Sequence, residues 1–489
     1  MSCELSSIFS SAPRKRRLIK TSIINLRICY NPLMEYGIVS LIVPLLAIIL
    51  AIITKDVVVS LFGGIFLGFL VLTNYSFFEA FKMLLEGIVG IFSEGWMTKT
   101  ILFVMLVGSI IAILKRAGAI DSFVDYLSQK SQSIDSPKGA MFLAYIIGIV
   151  IFIESSITVL VAGVVSQPLC DKNGVSREKL AYICDSTSAP VCSLIPLNGW
   201  GALLLGLIAT AINSNVIQGT EVDLLMHSIP YNFYAIITVI MVFFVIKKDI
   251  NLRPMGEYKA REFIANDQAK TKANLYDMLL PIGVLVLLVP IGLYITGKGD
   301  IFQGSGSTSV YYAVVISLLF MYLFFVPRKK LTHKGYFEAF YKGLSDMLPL
   351  GIIMILAFLI GKVIGDLDTA GYLSSLVSES IPPILIPMLI FLISAITAFA
   401  TGTSWGTFSV MMPISLAMGA DMGLNIPLMI GAVISGGVFG DHASPISDTT
   451  IISATATGCE PIDHVRTQLP YALIAGALAA VAFLIAGVL

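Results

Sequence analysis

The sequence has few charged residues for its length. Of its 489 residues, 31 are Lys or Arg and 31 are Asp or Glu, so the charged share is 13% and the formal net charge is zero. Soluble domains carry about 25% charged residues. The low share excludes a water-soluble single-domain fold, and the balanced charge gives no support for nucleic-acid binding.

Recognisable metal and phosphate motifs are also absent. The chain contains no H-E-x-x-H sequence and no P-loop. No two cysteines form a C-x-x-C pair, and no Cys/His spacing suits zinc. We therefore expect no cofactor, and we interpret the six cysteines as small apolar residues: Cys3, Cys29, Cys170, Cys184, Cys192 and Cys459.

Apolar residues dominate what is present. Hydrophobic residues make up 56% of the chain, and the mean hydropathy is +0.89. A helix rises ~1.5 Å per residue and the hydrocarbon layer is ~30 Å thick, so runs of about 17 apolar residues can cross it. Many such runs predict an all-α polytopic membrane protein. We expect spanning helices near residues 36–53, 56–73, 96–114, 229–246, 276–296, 309–326, 347–366 and 470–488.

Four further apolar regions are broken by polar residues. Residues 140–168 and 384–419 are too long for one helix and are interrupted at their middles, so we interpret them as re-entrant hairpins. Residues 177–213 and 427–457 contain Asp, Ser and Pro at membrane depth, so we interpret them as broken helices. Unwound backbone is tolerated in a membrane only where protein or a water-filled cavity satisfies its N–H and C=O groups. The four breaks therefore predict a cavity.

Three short matches recur in the same order and indicate an internal duplication. They are Phe78-Glu79-Ala80-Phe81 with Phe337-Glu338-Ala339-Phe340, Ala117-Gly118 with Ala370-Gly371, and Asp185-x-x-Ser188-x-Pro190 with Asp441-x-x-Ser444-Pro445, at offsets of 259, 253 and 256. We expect about ten spanning helices, two re-entrant hairpins and two broken helices. Five spans and one hairpin in each half would invert the second half, an arrangement typical of transporters.

This duplication predicts the division of the chain. Residues 34–246 form the first transmembrane repeat, 247–275 a cytoplasmic linker and 276–489 the second, inverted repeat. With this topology, 21 Lys and Arg residues face the cytoplasm and only four, Lys82, Lys99, Lys298 and Lys362, face outward. Six basic residues in 1–33 violate this rule. We therefore interpret residues 1–33 as an upstream, non-native extension before Met34, with an error of one span in the topology as the alternative.

Four carboxylates lie within the breaks: Glu154, Asp185, Asp441 and Asp448. An acid inside a bilayer is costly, so we interpret these four as cation- and proton-binding residues. The breaks contain no Lys or Arg, and oxygen ligands suit a hard cation such as Na⁺. The expected supporting polar residues are Ser155, Ser156, Thr158, Thr187, Ser188, Asn198, Thr401, Thr403, Ser404, His442, Ser444, Ser447 and Thr449.

Each assignment has a structural alternative. Glu154 could bond the amides of its own hairpin, and Asp185 and Asp441 could be N-caps of the half-helices that follow. His442 could relay protons or be a hydrogen-bonded histidine of the packing. Other classes are also open: an enzyme built on Glu154, Ser155 and His442, or a channel. The inverted repeat favours a transporter.

The segments Gly440–Thr450, Ile462–Tyr471 and Cys184–Pro190 resemble the NhaC-type Na⁺/H⁺ antiporter family of the ion transporter superfamily. The resemblance covers nearly the whole chain from Met34 onward. It implies a multi-pass secondary transporter of the bacterial inner membrane that exchanges Na⁺ for H⁺. The expected partners are Na⁺, H⁺ and the lipid bilayer, with the choice between monomer and homodimer open. Relatives in this family make a Na⁺-coupled carrier of a small organic acid (malate/lactate type) or amino acid the alternative.

Overall fold

The computed structural model describes residues 36–54, 56–120, 122, 123, 126, 136–152, 154–260, 274–367, 369, 372 and 381–488. Within these residues every regular element is a helix, so the predicted all-α class is confirmed. The predicted extension 1–33, linker residues 261–273 and the Ala370-Gly371 match lie outside the described residues. The division into repeat, linker and repeat stays a prediction.

The helices follow one another without strands in the described ranges. Residues before 260 form α1 Ile38–Thr54, α2 Val57–Leu72, α3 Phe77–Ser93, α4 Gly95–Arg116, α5 Pro137–Val150, α6 Ser155–Lys172, α7 Arg177–Ser186, α8 Ala189–Leu194, α9 Gly199–Asn213, α10 Glu221–Ser228 and α11 Phe233–Lys248. Later residues form α12 Tyr276–Thr296, α13 Gly306–Phe325, α14 His333–Asp366, α15 Ile386–Thr401, α16 Ser404–Asp421, α17 Ile426–Ala443, α18 Asp448–Thr457 and α19 Pro461–Ala486.

Seven of the described helices are long and apolar enough to cross a membrane, or up to nine if each of two bent pairs is one span. One of the seven, Pro383–Thr401, includes a hairpin arm, whereas α1 and α2, with 17 and 16 residues, are near the lower limit for a span. Counting α1 and α2 as spans, and Pro383–Thr401 as an arm, gives the ten predicted crossings. The chain is a multi-pass membrane protein.

Three helices differ from the prediction, two in where they begin and one because it was not expected. α14 begins at His333 and not near 347, and α19 begins at Pro461 and not near 470. Both predicted spans start after the last charged residue that precedes the apolar run. The helices begin earlier, because a helix continues past the bilayer wherever its charged side chains reach water. α3 was not predicted, because Glu79, Lys82 and Glu86 interrupt its apolar residues.

α15 and α16 form the second hairpin against α17. α15 runs parallel to α17 and α16 runs antiparallel to it, so both arms open on the face where α17 begins. The contacts that show this are Gly436 against the Phe391 carbonyl, Gly440 against the Ala395 carbonyl, Ser404 Oγ donating to the Gly437 carbonyl (3.1 Å) and Ser415 Oγ donating to the Met429 carbonyl (3.2 Å).

α5 and α6 form the first hairpin against α7. The inner end of α5 reaches the inner end of α7, because Gly148 packs on Thr187. The outer end of α6 meets the start of α7, because Arg177 Nη2 pairs with Asp171 Oδ2 at 2.9 Å. Both arms therefore open on the face where α7 begins.

α19 shows that the two hairpins open on opposite faces. It begins directly after α18, whose end is bound through the Gly458 carbonyl to Arg177 at the start of α7 (3.2 Å). Its end at Gly487 packs on Ile384, just before the second hairpin. Because α19 crosses between these two points, the hairpins are inverted relative to each other. This confirms the predicted inverted repeat.

The face where α7 begins also carries residues 249–260, and we call it the linker face. Tyr258 donates to Asp463 Oδ1 at 2.8 Å, and the Lys179 ammonium donates to Asp249. The hydrogen bond from Lys179 holds the pKa of the Asp249 carboxyl below its usual range. These contacts fix the chain between the halves to the ends of α7 and α19.

α4 and α14 cross closely beside the hairpins. A Cβ on Gly108 would lie 2.3 Å from the Gly343 carbonyl oxygen, and one on Gly343 would lie 2.2 Å from that of Gly108. Only glycine permits this approach of two backbones, the arrangement common where membrane helices pack tightly. The crossing places one side of each helix against the hairpin tips.

Candidate functional site: a carboxylate-lined cavity

A cavity of about 420 Å³ lies where the hairpin tips and helix breaks meet. The breaks thus surround a cavity, as their polar residues predicted. The hairpin tips contribute Glu154, Ser155, Ser156, Gly402, Thr403 and Trp405; the helix breaks contribute Gly199, Trp200, Asp441, Ile446, Asp448 and Thr449; α4 and α14 contribute Val104, Val107, Asp346, Met347 and Leu350.

Asp441 is held at the cavity by two hydroxyl groups from different elements. Its Oδ2 accepts from Ser404 Oγ at 2.7 Å and its Oδ1 from Ser447 Oγ at 2.6 Å. Such short bonds are typical of a charged acceptor, and a carboxylate has further lone pairs for a cation. Asp441 lies in the last turn of α17, so the alternative that it caps the following half-helix is wrong; Ser447 precedes α18 instead.

Glu154 combines a structural bond with a place in the cavity wall. It is the N-cap residue of α6, and its Oε2 accepts from the Ile157 amide at 2.8 Å. Ser155 Oγ lies 3.4 Å from Oε1. The alternative that Glu154 bonds its own hairpin is therefore observed, but one oxygen suffices for that bond and the residue lines the cavity.

Asp448 is the first residue of α18. Its Oδ1 accepts from the Thr449 amide at 2.8 Å, and Thr449 Oγ1 lies 3.0 Å from Ser447 Oγ. A carboxylate in the first turn is favoured by the helix dipole. Glu154, Asp441 and Asp448 thus share one cavity, although Glu154 comes from the first hairpin tip and the two aspartates from the second helix break.

Asn198 connects the first helix break to the first hairpin tip. Its Oδ1 caps α9 by accepting from the Gly201 amide at 3.1 Å. Its Nδ2 donates to the carbonyls of Phe152, Cys192 and Ile195 at 2.8–2.9 Å. The side chain therefore satisfies backbone groups that the break leaves free, and it holds the tip that carries Glu154.

Asp185 does not line the cavity. It lies in the last turn of α7, fully buried, where its Oδ2 accepts from Gln468 Nε2 at 2.8 Å and contacts His464 Nε2 at 3.2 Å. The alternative that it caps the next half-helix is wrong, because Ser188 precedes α8. The structure brings three of the four predicted acids to the cavity and places Asp185 elsewhere.

His442 belongs to the same buried group as Asp185. Its Nδ1 lies 2.6 Å from Tyr234 OH and its Nε2 lies 3.0 Å from Ser186 Oγ. We call Asp185, His442, His464 and Gln468 the Asp185 cluster; it joins α7 to α17 and α19. His464 and Gln468 were missed, although their i, i+4 spacing places both on one face of α19.

The remaining predicted hydroxyl residues divide into two groups. Ser155, Ser156, Thr403 and Thr449 line the cavity. The others donate to backbone carbonyls, as Ser and Thr commonly do in membrane helices: Thr158 to Ile151 and Glu154, Thr187 to Ile183, Ser188 to Asp185, Thr401 to Thr397, and Ser444 to Phe399.

One sequence feature resembles an enzyme motif but does not behave as one. Residues 402–406 read G-T-S-W-G and fit the G-x-S-x-G spacing of a hydrolase nucleophile elbow. Here they join two helices, and Ser404 donates to Asp441. The triad of Glu154, Ser155 and His442 does not form either, because the His442 ring contacts Ser186 and Tyr234.

Asp346 is a cavity residue that the sequence reasoning missed. It lies on α14 and pairs with Lys342 Nζ at 2.5 Å, where both side chains are about half exposed or more. The predicted span begins near residue 347, which leaves Asp346 just outside it. An acid one residue from a span was the signal available in the sequence.

Comparison with known proteins places these features in a family. The chain matches the model of the Na⁺/H⁺ antiporter family over residues 13–199 and 191–488. It is 34% identical over 472 residues to an uncharacterized protein of Haemophilus influenzae, covering 92% of this chain and 90% of that protein. A malate-2H⁺/Na⁺-lactate antiporter of Bacillus subtilis is 31% identical over 159 residues, 32% of this chain and 33% of that one.

A solved structure has a similar fold. The chain aligns with the transporter MtrF of Neisseria gonorrhoeae with a TM-score of 0.56 and 13% identity, covering 83% of this chain and 84% of that one. At this identity the likeness concerns the fold alone. It agrees with the helical membrane architecture described above.

Proposed function

The chain belongs to the Na⁺/H⁺ antiporter family and is a secondary transporter; from this premise we propose that it exchanges Na⁺ for H⁺ across the bacterial inner membrane by alternating access. The observation that carries the proposal is the position of Asp441. Its carboxylate lies at the wall of the cavity, held by Ser404 of one hairpin and Ser447 of the helix break.

The charges of the cavity supply the coupling. Glu154, Asp441 and Asp448 line one space, and no Lys or Arg of the described residues pairs with them. Three carboxylates that share one cavity inside the membrane cannot all stay charged and unpaired, so at least one holds a proton when no cation is bound. When Na⁺ enters, that O–H bond breaks, the proton leaves to water and the ion takes its place among the oxygens.

The inverted hairpins supply the alternating access. Their tips reach the cavity from opposite faces, so opening on one side and closing on the other would expose the same acids in turn. The protein changes between the two open states at a lower free-energy cost when Na⁺ or H⁺ neutralises the acids of the cavity than when these acids are empty and charged. Exchange, and not leakage, is the consequence.

The test is Na⁺-driven proton flux in proteoliposomes, followed with an internal pH dye. Asp441→Asn keeps the shape of the side chain and its acceptor oxygen but removes the exchangeable charge, so we expect flux to fall to the level of empty vesicles. Asp300→Asn is the matched control, because Asp300 is exposed, lies outside the cavity lining, and accepts through its side chain from the Phe302 amide (2.9 Å). Full flux in Asp441→Asn would contradict the proposal.

The organic-acid alternative finds no support in the lining. None of the described residues around the cavity is Lys, Arg or His. An organic carboxylate would therefore meet several acids and no positive side chain.

A further inference from the structure

We propose that the cavity also takes a small organic ammonium ion, which competes with Na⁺ and H⁺ for the same acids. The inference rests on the proposed function, since it uses Glu154, Asp441 and Asp448 as the cation-binding groups. It adds a substrate class that a site for a bare metal ion alone would not require. Size, charge and the aromatic wall each point to this class.

The cavity is larger than a metal ion needs. An ion held by side-chain oxygens takes them at ~2.4 Å and leaves little free space. The observed volume is about 420 Å³, within the ~300–1,000 Å³ of pockets that hold small organic ligands. The space accommodates a short alkyl body beside a charged head group.

The charge of the lining selects a cation. Four of its residues are acids and, among the described lining residues, none is basic. Asp346 has a positive neighbour, Lys342, which is mostly exposed and pairs with it at 2.5 Å. The other three acids come from the hairpin tip and the helix break and can accept hydrogen bonds from an ammonium group.

The other lining residues suit the organic part of such an ion. Trp200 and Trp405 both line the cavity, with ring centroids 6.1 Å apart and an angle of 63° between the planes. Indole is the strongest partner in cation–π contacts. Gly199 leaves room for the Trp405 indole, since a Cβ on Gly199 would lie 3.3 Å from that ring.

α4 and α14 complete the wall with aliphatic side chains. Val104, Val107, Met347 and Leu350 supply apolar surface next to the acids and indoles. A site for Na⁺ alone gains nothing from such surface, whereas an alkyl chain is stabilised when it leaves water. The lining is therefore amphipathic in the way that an alkylammonium ion is.

The experiment compares matched four-carbon probes by calorimetry on the purified full chain. We expect n-butylammonium to bind, and n-butanol and butyrate, which share the chain but not the positive charge, to bind at least tenfold more weakly. Raising Na⁺ should weaken the binding of n-butylammonium, because both cations use the same acids. Asp441→Asn should abolish it.

Two substitutions test the aromatic wall. Trp405→Leu should weaken n-butylammonium about tenfold, whereas Trp405→Phe, which keeps an aromatic face, should change it less than about threefold. Thermal melting of both variants checks that they fold. Equal affinities in two folded variants would overturn the role of the indole.

The outcomes separate this inference from the proposed function. Na⁺-driven proton flux without n-butylammonium binding would overturn the organic substrate and leave the exchange of ions intact. Binding of n-butylammonium together with a lack of Na⁺-driven flux would overturn Na⁺/H⁺ exchange and leave the organic cation. Preferential binding of butyrate would contradict the inference directly.

Discussion

Asn198 allows a sharp test of how the first helix break is held. If its only role were to cap α9, the substitution Asn198→Asp would change little, because Asp and Asn are about equal as N-caps. The structure gives the amide a second role: its Nδ2 donates to the carbonyls of Phe152, Cys192 and Ile195. Asn198→Asp keeps the cap and replaces these donors with an oxygen.

The magnitude follows from the lost bonds. A buried carbonyl left without its donor costs about 1–3 kcal/mol, and two N–H groups serve the three carbonyls. We expect Asn198→Asp to lower the free energy of unfolding by about 2–4 kcal/mol. Asn198→Ala also loses a cap worth about 1 kcal/mol. Asn198→Asp should nevertheless cost no less, because its second oxygen faces the carbonyl oxygens that the amide served. Transport should fall as well, because the Phe152 carbonyl belongs to the tip that carries Glu154.

The assay is reversible unfolding in mixed detergent micelles, followed by tryptophan fluorescence. Asn425→Asp is the matched control: Asn425 is exposed and caps α17 by accepting from the Leu428 amide at 3.0 Å. We expect the control to change stability by less than about 0.5 kcal/mol. An Asn198→Asp variant as stable as the control would refute the reasoning.

Two further predictions concern the Asp185 cluster and the topology. Asp185→Leu should lower the free energy of unfolding by about 3 kcal/mol or more, because it leaves the N–H groups of His464 and Gln468 buried without their acceptor; unchanged unfolding in the same assay would contradict this. Single cysteines at His333 and Asp421 should react with an impermeant thiol reagent from the cytoplasm and from the outside, respectively. Labelling of both from one face would contradict the inverted topology.

The class and much of the architecture could be predicted from the sequence, because they follow from local chemistry. Apolar runs locate spans and polar interruptions locate breaks, since a bilayer penalises each unsatisfied or charged group wherever it stands. Asp441 and Glu154 could be found in this way. Span ends such as His333 could not, because a helix continues beyond the bilayer without an apolar signal.

Only the tertiary structure decided which acids share a site. Asp185 and Asp441 stand in matching positions of the two halves, and nothing local distinguishes them. In the fold the Asp441 carboxylate accepts hydrogen bonds from two hydroxyl groups and borders the cavity, whereas the Asp185 carboxylate contacts His464 and Gln468 of α19. His464 and Gln468 lie 279 and 283 positions from Asp185, and Ser404 lies 37 positions from Asp441. The sequence therefore determines that acids lie in the membrane, and packing determines what each one faces.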